Sequence, residues 1–305
     1  MIPRAAREAL EDLLGDRVRF DAPLSRHTSL RIGGPADALV APESRAELQR
    51  LLALCAAHDL PHRVLGGGFN TLVLDSGVEG VVIQLHRFRA LEELPGGAVR
   101  AEAGVSHSQL TRFCVERGLS GLEFGAGIPG TIGGWTAMNA GVREREVRDA
   151  TLEVEVMTPT GSAVRHLQQG SLRFVYRALR GLAPRSVILS TLFSVGLSTP
   201  ERVKEEVARH LSHRSSTQPL DVPSCGSVFK NPAGDFAGRL IEAAGLKGSR
   251  VGGAEISTVH ANFIVNRGGA LAADVLALIE RARQAVRERF GVALEPEVRI
   301  VGRKP

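Results

Sequence analysis

The spacing of hydrophobic residues predicts a chain that contains helices along its whole length. In residues 42–59, three leucines and a cysteine recur at intervals of three and four residues, which places them on one helical face. A helix at 106–118 would end at Gly118, a residue type that commonly caps helices. The same spacing predicts further helices at 200–214, 237–244 and 272–290.

Alternation of apolar and polar residues predicts strands between these helices. Residues 150–158, with the sequence ATLEVEVMT, alternate cleanly, as a half-buried strand does. Further strands are predicted at 62–64, 78–85, 187–195, 262–265 and 298–301. The result is an α+β mixture that lacks the regular βαβ alternation of a doubly wound sheet.

One segment has the composition of a domain boundary. Residues 215–226, SSTQPLDVPSCG, combine two prolines with several hydroxyl residues. We expect an N-terminal helix at 1–19, a nucleotide-type domain at 20–200 and a smaller C-terminal domain at 201–305. Within the larger domain, subdomains are expected at about 20–85 and about 86–200.

Composition narrows the classes of function. The net charge of +5 comes from scattered arginines, and the chain has one Trp and one Tyr, so a basic face with aromatic platforms for nucleic acid is not indicated. Some arginines could instead serve an anionic small molecule. Three cysteines without metal-type spacing predict neither a disulfide framework nor a metal site.

Targeting and membrane signals are also missing from the sequence. The N-terminus, MIPRAAREALEDLLGD, has helical spacing without the apolar centre of a signal peptide. No run approaches the roughly 18 apolar residues of a membrane span. We therefore expect a cytoplasmic protein without membrane insertion.

The candidate chemistry lies in glycine-rich stretches. Residues 125–130, GAGIPG, match the G-x-G-x-x-G pattern of dinucleotide-binding Rossmann loops, and Asp149 follows Gly130 at nearly the expected offset. A Rossmann loop, however, follows directly on a hydrophobic strand, whereas RGLSGLEF precedes this one. The pattern alone is therefore a weak indication of that fold.

Two such stretches together are more informative than one. GGGFN (66–70) and residues 125–134 could each expose backbone N–H groups in a concave surface suited to phosphate or carbonyl oxygens. Two loops of this kind could hold one extended nucleotide between them. The alternative is that each loop is a tight turn with no ligand.

Seven ordered blocks resemble the UDP-N-acetylenolpyruvoylglucosamine reductase (MurB) family. They are RHTSLRIGGPAD (26–37), LGGGFNTLVLD (65–75), GLEFGAGIPGTIGG with AMNAG (121–141), CGSVFKNP (225–232), AGRLIEAAGLKG (237–248), HANFIVN (260–266) and LEPEVRIVG (294–302). The similarity covers about residues 20–302. With no insertion before CGSVFKNP, the chain is similar to the shorter, type II form.

The resemblance implies a fold and a reaction. The fold is the FAD-binding fold of the vanillyl-alcohol-oxidase type with a C-terminal α+β substrate domain. The implied cofactor is non-covalent FAD, reduced by NADPH, and the implied substrate is a UDP-sugar enolpyruvyl ether in peptidoglycan synthesis. Carried over from the family motifs, the cofactor-binding residues are Gly66, Gly67, Gly68, Phe69, Asn70, Thr71, Gly127, Ile128, Gly130, Thr131, Gly133, Gly134, Asn139 and Gly141.

The resemblance also implies three catalytic residues. Arg177 matches an arginine that polarises the substrate carboxylate, Glu297 an acid that assists enolate stabilisation, and Ser227 the proton donor to the α-carbon. Without the resemblance, Arg177 would be interpreted as a surface arginine and Ser227 as a turn hydroxyl. Glu297 would be interpreted as an exposed strand residue or as a salt-bridge partner of Arg299. Lys230, Asn231 and Arg214 are expected to bind the substrate.

Cys225 is a rival proton donor, because a thiol is intrinsically a better acid than a hydroxyl. Residues two apart on a strand share a face, so both side chains would point the same way. Ser227 is preferred on the family match.

The chain departs from the family pattern at four positions. These are Phe69, where serine is usual, Trp135 after IGG, Leu179 after the YR pair, and Thr217, where lysine is common. None of these residues is a proposed catalytic group, so an active enzyme is expected. The alternatives are an FAD-dependent oxidase of the same fold and a non-catalytic nucleotide-binding paralogue.

Overall fold

The computed structural model describes residues 2–142 and 145–303. Met1 of the predicted N-terminal helix, and Lys304 and Pro305 of the predicted C-terminal domain, therefore lie outside the described residues. The α-helices of the described chain are α1 (Arg4–Leu14), α2 (Arg45–Ala57), α3 (His107–Arg117), α4 (Ile132–Ala137), α5 (Pro200–Thr217), α6 (Ala237–Ala243) and α7 (Ala272–Phe290). Among the residues described, no helix is long and apolar enough to cross a membrane.

Strands are numbered in chain order. The first eleven are β1 (Val18–Pro23), β2 (Pro35–Val40), β3 (His62–Val64), β4 (Thr71–Val73), β5 (Val78–Ile83), β6 (Leu91–Leu94), β7 (Ala98–Glu102), β8 (Leu119–Ser120), β9 (Gly141–Val142), β10 (Arg145–Glu146) and β11 (Thr151–Met157). The others are β12 (Val164–Gln168), β13 (Arg173–Val175), β14 (Ala178–Arg180), β15 (Val187–Ser194), β16 (Gly196–Leu197), β17 (Ser224–Ser227), β18 (Arg250–Val251), β19 (Ala254–Ile256), β20 (Phe263–Asn266) and β21 (Arg299–Val301).

Local sequence explains where the predicted helices begin and end. Ser44 caps α2 by accepting a hydrogen bond from the Glu47 amide. A capping box formed by Ser106 and Gln109 starts α3, and Gly118, in the left-handed conformation, ends it. Each helix and strand predicted from the spacing is present, with ends that differ by a few residues.

The chain divides into two compact units that are not contiguous in sequence. Unit 1 comprises 1–20, 38–67 and 80–214, and unit 2 comprises 21–37, 68–79 and 215–305. This differs from the contiguous domains at 20–200 and 201–305 that we predicted. Nothing in the local sequence of 21–37 or 68–79 shows that these segments belong to unit 2. Their place in it follows from packing contacts with residues far away in the sequence, and not from composition.

Unit 1 is built on an antiparallel sheet with strand order β12-β11-β15-β7-β6. Strands β3 and β5 pair in parallel, with His62 opposite Val81. Helices α1 and α2 pack with these elements in one apolar core that includes Leu10, Leu48 and Ile83. A second core lies under α3 and the glycine-rich stretch, and includes Leu110 and Trp135.

Unit 2 centres on helix α7 and a sheet with strand order β17-β20-β19-β18. Strand β21 pairs in parallel with β4. The first amides of α7 are bonded by a residue distant in sequence: Asp75 Oδ1 accepts from Ala272 N (2.8 Å) and Oδ2 from Ala273 N (3.0 Å). This contact fastens the chain that follows GGGFN to the C-terminal helix.

Candidate active site

The two glycine loops approach each other in unit 1. A Cβ added to Gly66 would lie 2.8 Å from Thr131 Oγ1, so a larger residue would require the Thr131 side chain to shift. The Ile132 amide donates to Val105 O (2.9 Å) and the Gly133 amide to Ala103 O (3.0 Å), which holds the second loop in place. Within unit 1, the first glycine of GGGFN therefore lies beside the second glycine loop.

Aromatic side chains pack beneath the second loop. Trp135 is stacked on Phe124 with ring centroids 5.6 Å apart, and its indole lies 4.2 Å from the His107 ring. Within the described part of the chain, His107 Nε2 and Trp135 Nε1 are both buried without a hydrogen-bond partner. Burial, assisted by the charge of Arg214, lowers the pKa of His107 to about 3, so this imidazole is neutral at physiological pH.

Arg214, at the end of unit 1, packs against the second glycine loop. A Cβ on Gly127, whose φ is +79°, would lie 2.9 Å from Arg214 Cδ. Burial lowers the pKa of this guanidinium. Within unit 1 the side chain therefore lies beside Gly127, and the predicted contact of Arg214 with the substrate stays a prediction.

Arg177 occupies the tip of the β13–β14 hairpin. Val175 pairs with Ala178, which leaves Tyr176 and Arg177 as a two-residue turn. Arg177 has φ of 58°, a conformation that favours glycine or asparagine at this turn position. Its guanidinium lies 4.7 Å from the centre of the Tyr176 ring, and Nη2 donates to Gly141 O (3.1 Å).

Asn139 and Glu146 form a buried polar pair next to this hairpin. Asn139 Nδ2 donates to Glu146 Oε2 (2.8 Å) and to Val175 O (3.0 Å), while its Oδ1 accepts from Arg148 N (3.0 Å). Because the Asn139 side chain is fully buried and engaged with protein groups, it braces the loop. The direct cofactor contact predicted for Asn139 stays a prediction.

In unit 2, the second half of GGGFN packs against the RHTSLRIGG segment. The Ser29 amide and hydroxyl both donate to Gly68 O, at 3.2 and 3.1 Å, and the same hydroxyl lies 2.6 Å from Ser224 O. Gly68 has φ of +68°, and a Cβ there would lie 2.3 Å from His27 O. Ser29 thus joins the loop to the strand that carries Ser227.

The structure brings Ser227 and Glu297 to one backbone junction. The Glu297 amide donates to the carbonyl oxygen of Val228, the residue that follows Ser227, at 2.8 Å. An isolated β-bridge pairs the next residue, Phe229, with Pro296. Both Ser227 and Glu297 are half-buried. The two residues come from segments far apart in the sequence, and the junction places their backbones side by side.

Cys225 does not share the environment of Ser227, so the expectation that both side chains point the same way is wrong. Gly226 has φ of +74°, and the pairing of β17 with β20 shifts register between Ser224 and Ser227. Cys225 is 1% exposed and belongs to the core of unit 2. Burial raises the pKa of its thiol to about 12, which makes it a poor proton donor.

The two other expected substrate residues have protein partners. Lys230 Nζ lies 2.5 Å from Glu295 Oε1, and the Lys230 amide donates to Glu295 O (2.9 Å). Asn231 Oδ1 accepts from the Ala237 amide (3.1 Å) at the start of α6. Their predicted contacts with substrate stay predictions.

These contacts suit an extended dinucleotide such as FAD. Glycines stand where a Cβ would collide, at Gly66, Gly68 and Gly127, so that backbone can line a close-fitting ligand. The residues predicted to hold FAD lie in both units, with Gly66, Gly127 and Thr131 in unit 1 and Gly68, Asn70 and Thr71 in unit 2, and their contacts with FAD stay predictions. Sequence reasoning missed Ser29, Glu146 and His107, for which a single sequence offers no signal.

Comparisons with known proteins agree with this geometry. The family described as "FAD binding domain" matches residues 36–166, and "UDP-N-acetylenolpyruvoylglucosamine reductase, C-terminal domain" matches residues 218–301. The reductase of Geobacter metallireducens is 46% identical over 291 residues, which cover 95% of this chain and 96% of the relative. That of Geotalea uraniireducens is 44% identical over 296 residues, which cover 97% and 98%.

A solved structure is also similar. The crystal structure of the reductase (MurB) from Thermus caldophilus has a TM-score of 0.81 and 39% identity, covering 93% of this chain and 100% of that one. The predicted fold class is confirmed, and the Rossmann interpretation of GAGIPG is excluded by it. The chain belongs to the UDP-N-acetylenolpyruvoylglucosamine reductase family.

Proposed function

We propose that this protein reduces UDP-N-acetylglucosamine enolpyruvate to UDP-N-acetylmuramate in the cytoplasm, as a step of peptidoglycan synthesis. The observation that carries the proposal is the junction at which the Glu297 amide bonds to Val228 O beside Ser227. It supports the proposal because it places the backbone of a residue with an acidic side chain beside that of a residue with a hydroxyl, from segments far apart in sequence. Bound FAD would supply the reducing equivalents, taken from NADPH.

The substrate chemistry sets what the protein must provide. A hydride, which is one proton with two electrons, is added at the methylene carbon of the enol ether, and a proton is added at the α-carbon. In between, negative charge spreads over the α-carbon and the neighbouring carboxylate. Such a transition state is stabilised by a cation or by hydrogen-bond donors at the carboxylate, together with an acid at the α-carbon.

Arg177 is the proposed cation. Its planar guanidinium can donate two parallel hydrogen bonds to a carboxylate, which a lysine cannot do. The strained φ of 58° at the hairpin tip supports this role, because backbone strain persists where the surrounding structure holds it and clusters at active sites.

Ser227 is the proposed proton donor and Glu297 the acid that assists it at the carboxylate. A serine hydroxyl is a weak acid, so donation requires that charge on the resulting oxygen be stabilised in the site. Lys230, three residues after Ser227, is the proposed contact with the substrate diphosphate, with Asn231 beside it. For Arg214 we propose a contact with the substrate next to the loop that contains Gly127.

Stopped-flow kinetics of the Ser227→Ala variant test the proposal. Reduction of the flavin by NADPH should keep its wild-type rate, while reoxidation by the enolpyruvyl sugar should slow by roughly 10²–10⁴-fold, the usual contribution of a positioned acid. Ser224→Ala, on the same strand, is the matched control and should leave both half-reactions unchanged.

The same experiment separates the alternatives. A wild-type protein that is reoxidised by oxygen as fast as by the enolpyruvyl sugar would be an oxidase. One that takes up FAD but is not reduced by NADPH would be a nucleotide-binding paralogue. Equal reoxidation rates for Ser227→Ala and wild type would remove Ser227 from the mechanism.

A further inference from the structure

Glu146 is a buried carboxylate that holds the proposed substrate-binding arginine. It is 7% exposed, and its Oε1 accepts from Arg177 Nη1 at 3.4 Å. Its Oε2 is engaged by Asn139 Nδ2 (2.8 Å) and by Arg148 Nε (3.1 Å). One carboxylate therefore joins two arginines and an asparagine.

The backbone around Glu146 is also held firmly. Glu146 pairs with Gly141 across β9 and β10, and its amide donates to Asp149 Oδ2 (2.7 Å). A Cβ on Gly141 would lie 2.9 Å from Glu146 Cγ, so the glycine of AMNAG leaves room for this side chain. The Gly141 carbonyl in turn accepts from Arg177 Nη2 (3.1 Å).

Arg177 is thereby constrained on three sides: by Glu146, by Gly141 O and by the ring of Tyr176. An arginine side chain loses much rotamer freedom when it is fixed in one geometry. Partners that fix it before the substrate arrives remove that cost from the reaction. Asn139 and Arg148 both contact Oε2 of Glu146, whereas Arg177 contacts Oε1. The Glu146 carboxylate therefore interacts with two cations at once.

We propose that Glu146 is a positioning residue that orients Arg177 toward the substrate carboxylate, and that Asn139 fixes the orientation of Glu146. This inference rests on the proposed function. It assigns AMNAG a second task besides the cofactor: its asparagine and glycine build the support for the arginine on the hairpin tip. Glu146 acts through Arg177 and touches no reacting atom.

The test compares Glu146→Gln with wild type in separate half-reactions. Reduction by NADPH should be unchanged, while kcat for reoxidation by the enolpyruvyl sugar should fall by about 10- to 100-fold, the effect of a small displacement of a positioning group. KM should change much less than kcat, because the interaction lost is one that strengthens in the transition state. A structural role alone would lower both half-reactions and the flavin content together.

A second measurement is independent of turnover. Calorimetry on the oxidised protein gives the affinity for the enolpyruvyl sugar and for UDP-N-acetylglucosamine, which lacks the carboxylate. Glu146→Gln should weaken binding of the carboxylate-bearing ligand by much less than it lowers kcat, and should leave binding of UDP-N-acetylglucosamine unchanged. In an Arg177→Lys background, Glu146→Gln should add little further loss, because the two residues act as a unit.

Glu153→Gln is the matched control. Its side chain is 12% exposed, against 10% for Glu146, and it is paired with Arg100 on the sheet of the same unit. The control should lose stability without changing the ratio of the two half-reactions. If Glu146→Gln does not fold, Glu146→Asp, which keeps the charge but withdraws it by one methylene, carries the same expectations.

Two outcomes contradict different claims. If the wild type is not reoxidised by the enolpyruvyl sugar, the proposed function is wrong. If the wild type is reoxidised but Glu146→Gln matches it in kcat, the proposed function stands and the positioning role of Glu146 is wrong.

Discussion

Asn70 donates a hydrogen bond from Nδ2 to the backbone carbonyl of Glu297 across 3.2 Å. A second hydrogen bond joins the same two segments, because the Arg299 amide donates to Asn70 O at 3.1 Å. The last residue of GGGFN is thus joined to the segment that carries the proposed acid. A change in the loop backbone should therefore reach the catalytic segment as well as the cofactor.

The loop backbone can be tested with Gly68→Ala. The residue has φ of +68°, and the added Cβ would lie 2.3 Å from His27 O, a backbone atom that cannot move away easily. We expect loss of flavin content and a destabilisation larger than the roughly 1–2 kcal/mol of left-handed strain alone. Urea unfolding and the ratio of flavin to protein absorbance measure the two effects.

Gly234→Ala is the control for this prediction. Its φ of +75° is similar, but no atom of the described residues lies within 4 Å of the added Cβ. The Gly234→Ala variant should be destabilised only by the left-handed strain and should keep its flavin content. Equal destabilisation of the two variants would mean that the contact with His27 does not constrain the loop.

The thiols provide a second prediction. Cys55, Cys114 and Cys225 are all buried, and burial raises the pKa of each to about 12. Native protein at pH 8 should react with Ellman's reagent at none of its three thiols, and unfolded protein at all three. A fast-reacting thiol assigned to Cys225 by Cys225→Ala would restore that residue as a candidate acid.

The contrast between Cys225 and Ser227 shows where sequence reasoning ends. Helix α3 was predictable because its signals, from the capping box at Ser106 to Gly118, are local. The alternation rule failed at Gly226, where a positive φ interrupts the strand. The amides at the start of α7 are bonded by Asp75, nearly two hundred residues away, and no local pattern reports such a contact.

Trp135, the large residue that directly follows IGG, yields a third prediction. It is 4% exposed and packs on Phe124, His107 and Phe193, so Trp135→Ala should cost about 3–5 kcal/mol in the free energy of unfolding. A Cβ on Gly125 would lie 2.0 Å from Trp135 Cζ2, so Gly125→Ala should also destabilise.

The double variant discriminates between this packing and two independent losses. Removal of the indole removes the two shortest contacts of the methyl group that Gly125→Ala introduces and leaves the contact with His107 Nε2 at 2.6 Å, so the combined cost should be smaller than the sum of the single costs. Denaturant unfolding of wild type, the two single variants and the double variant measures the coupling. Strict additivity would show that the added methyl group and the indole do not compete for the same volume.

His107 gives a pH-dependent prediction. The pKa of its imidazole is lowered from 6.5 to about 3 by burial and by Arg214, whereas in the unfolded chain it is near the ordinary value. Between these two values the unfolded state binds a proton that the folded state does not. The free energy of unfolding therefore rises with pH in this window, and stability is lost progressively as the pH falls below 6.5 toward 3.

The expected size of this loss in the free energy of unfolding follows from the linkage between proton binding and folding. Lowering the pH from 7 to 5 should cost about 2 kcal/mol through this residue. His107→Phe removes the titrating group and keeps a ring against Trp135, so its free energy of unfolding should fall by correspondingly less over the same range. The measurement is urea unfolding of both proteins at pH 7 and pH 5, because the difference between them cancels other titrating groups. Identical losses in both would mean that the pKa of His107 is the same in the folded and unfolded states, so that the folded protein would bind a proton at this ring at pH 5, where the structure has a neutral ring beneath the glycine loop.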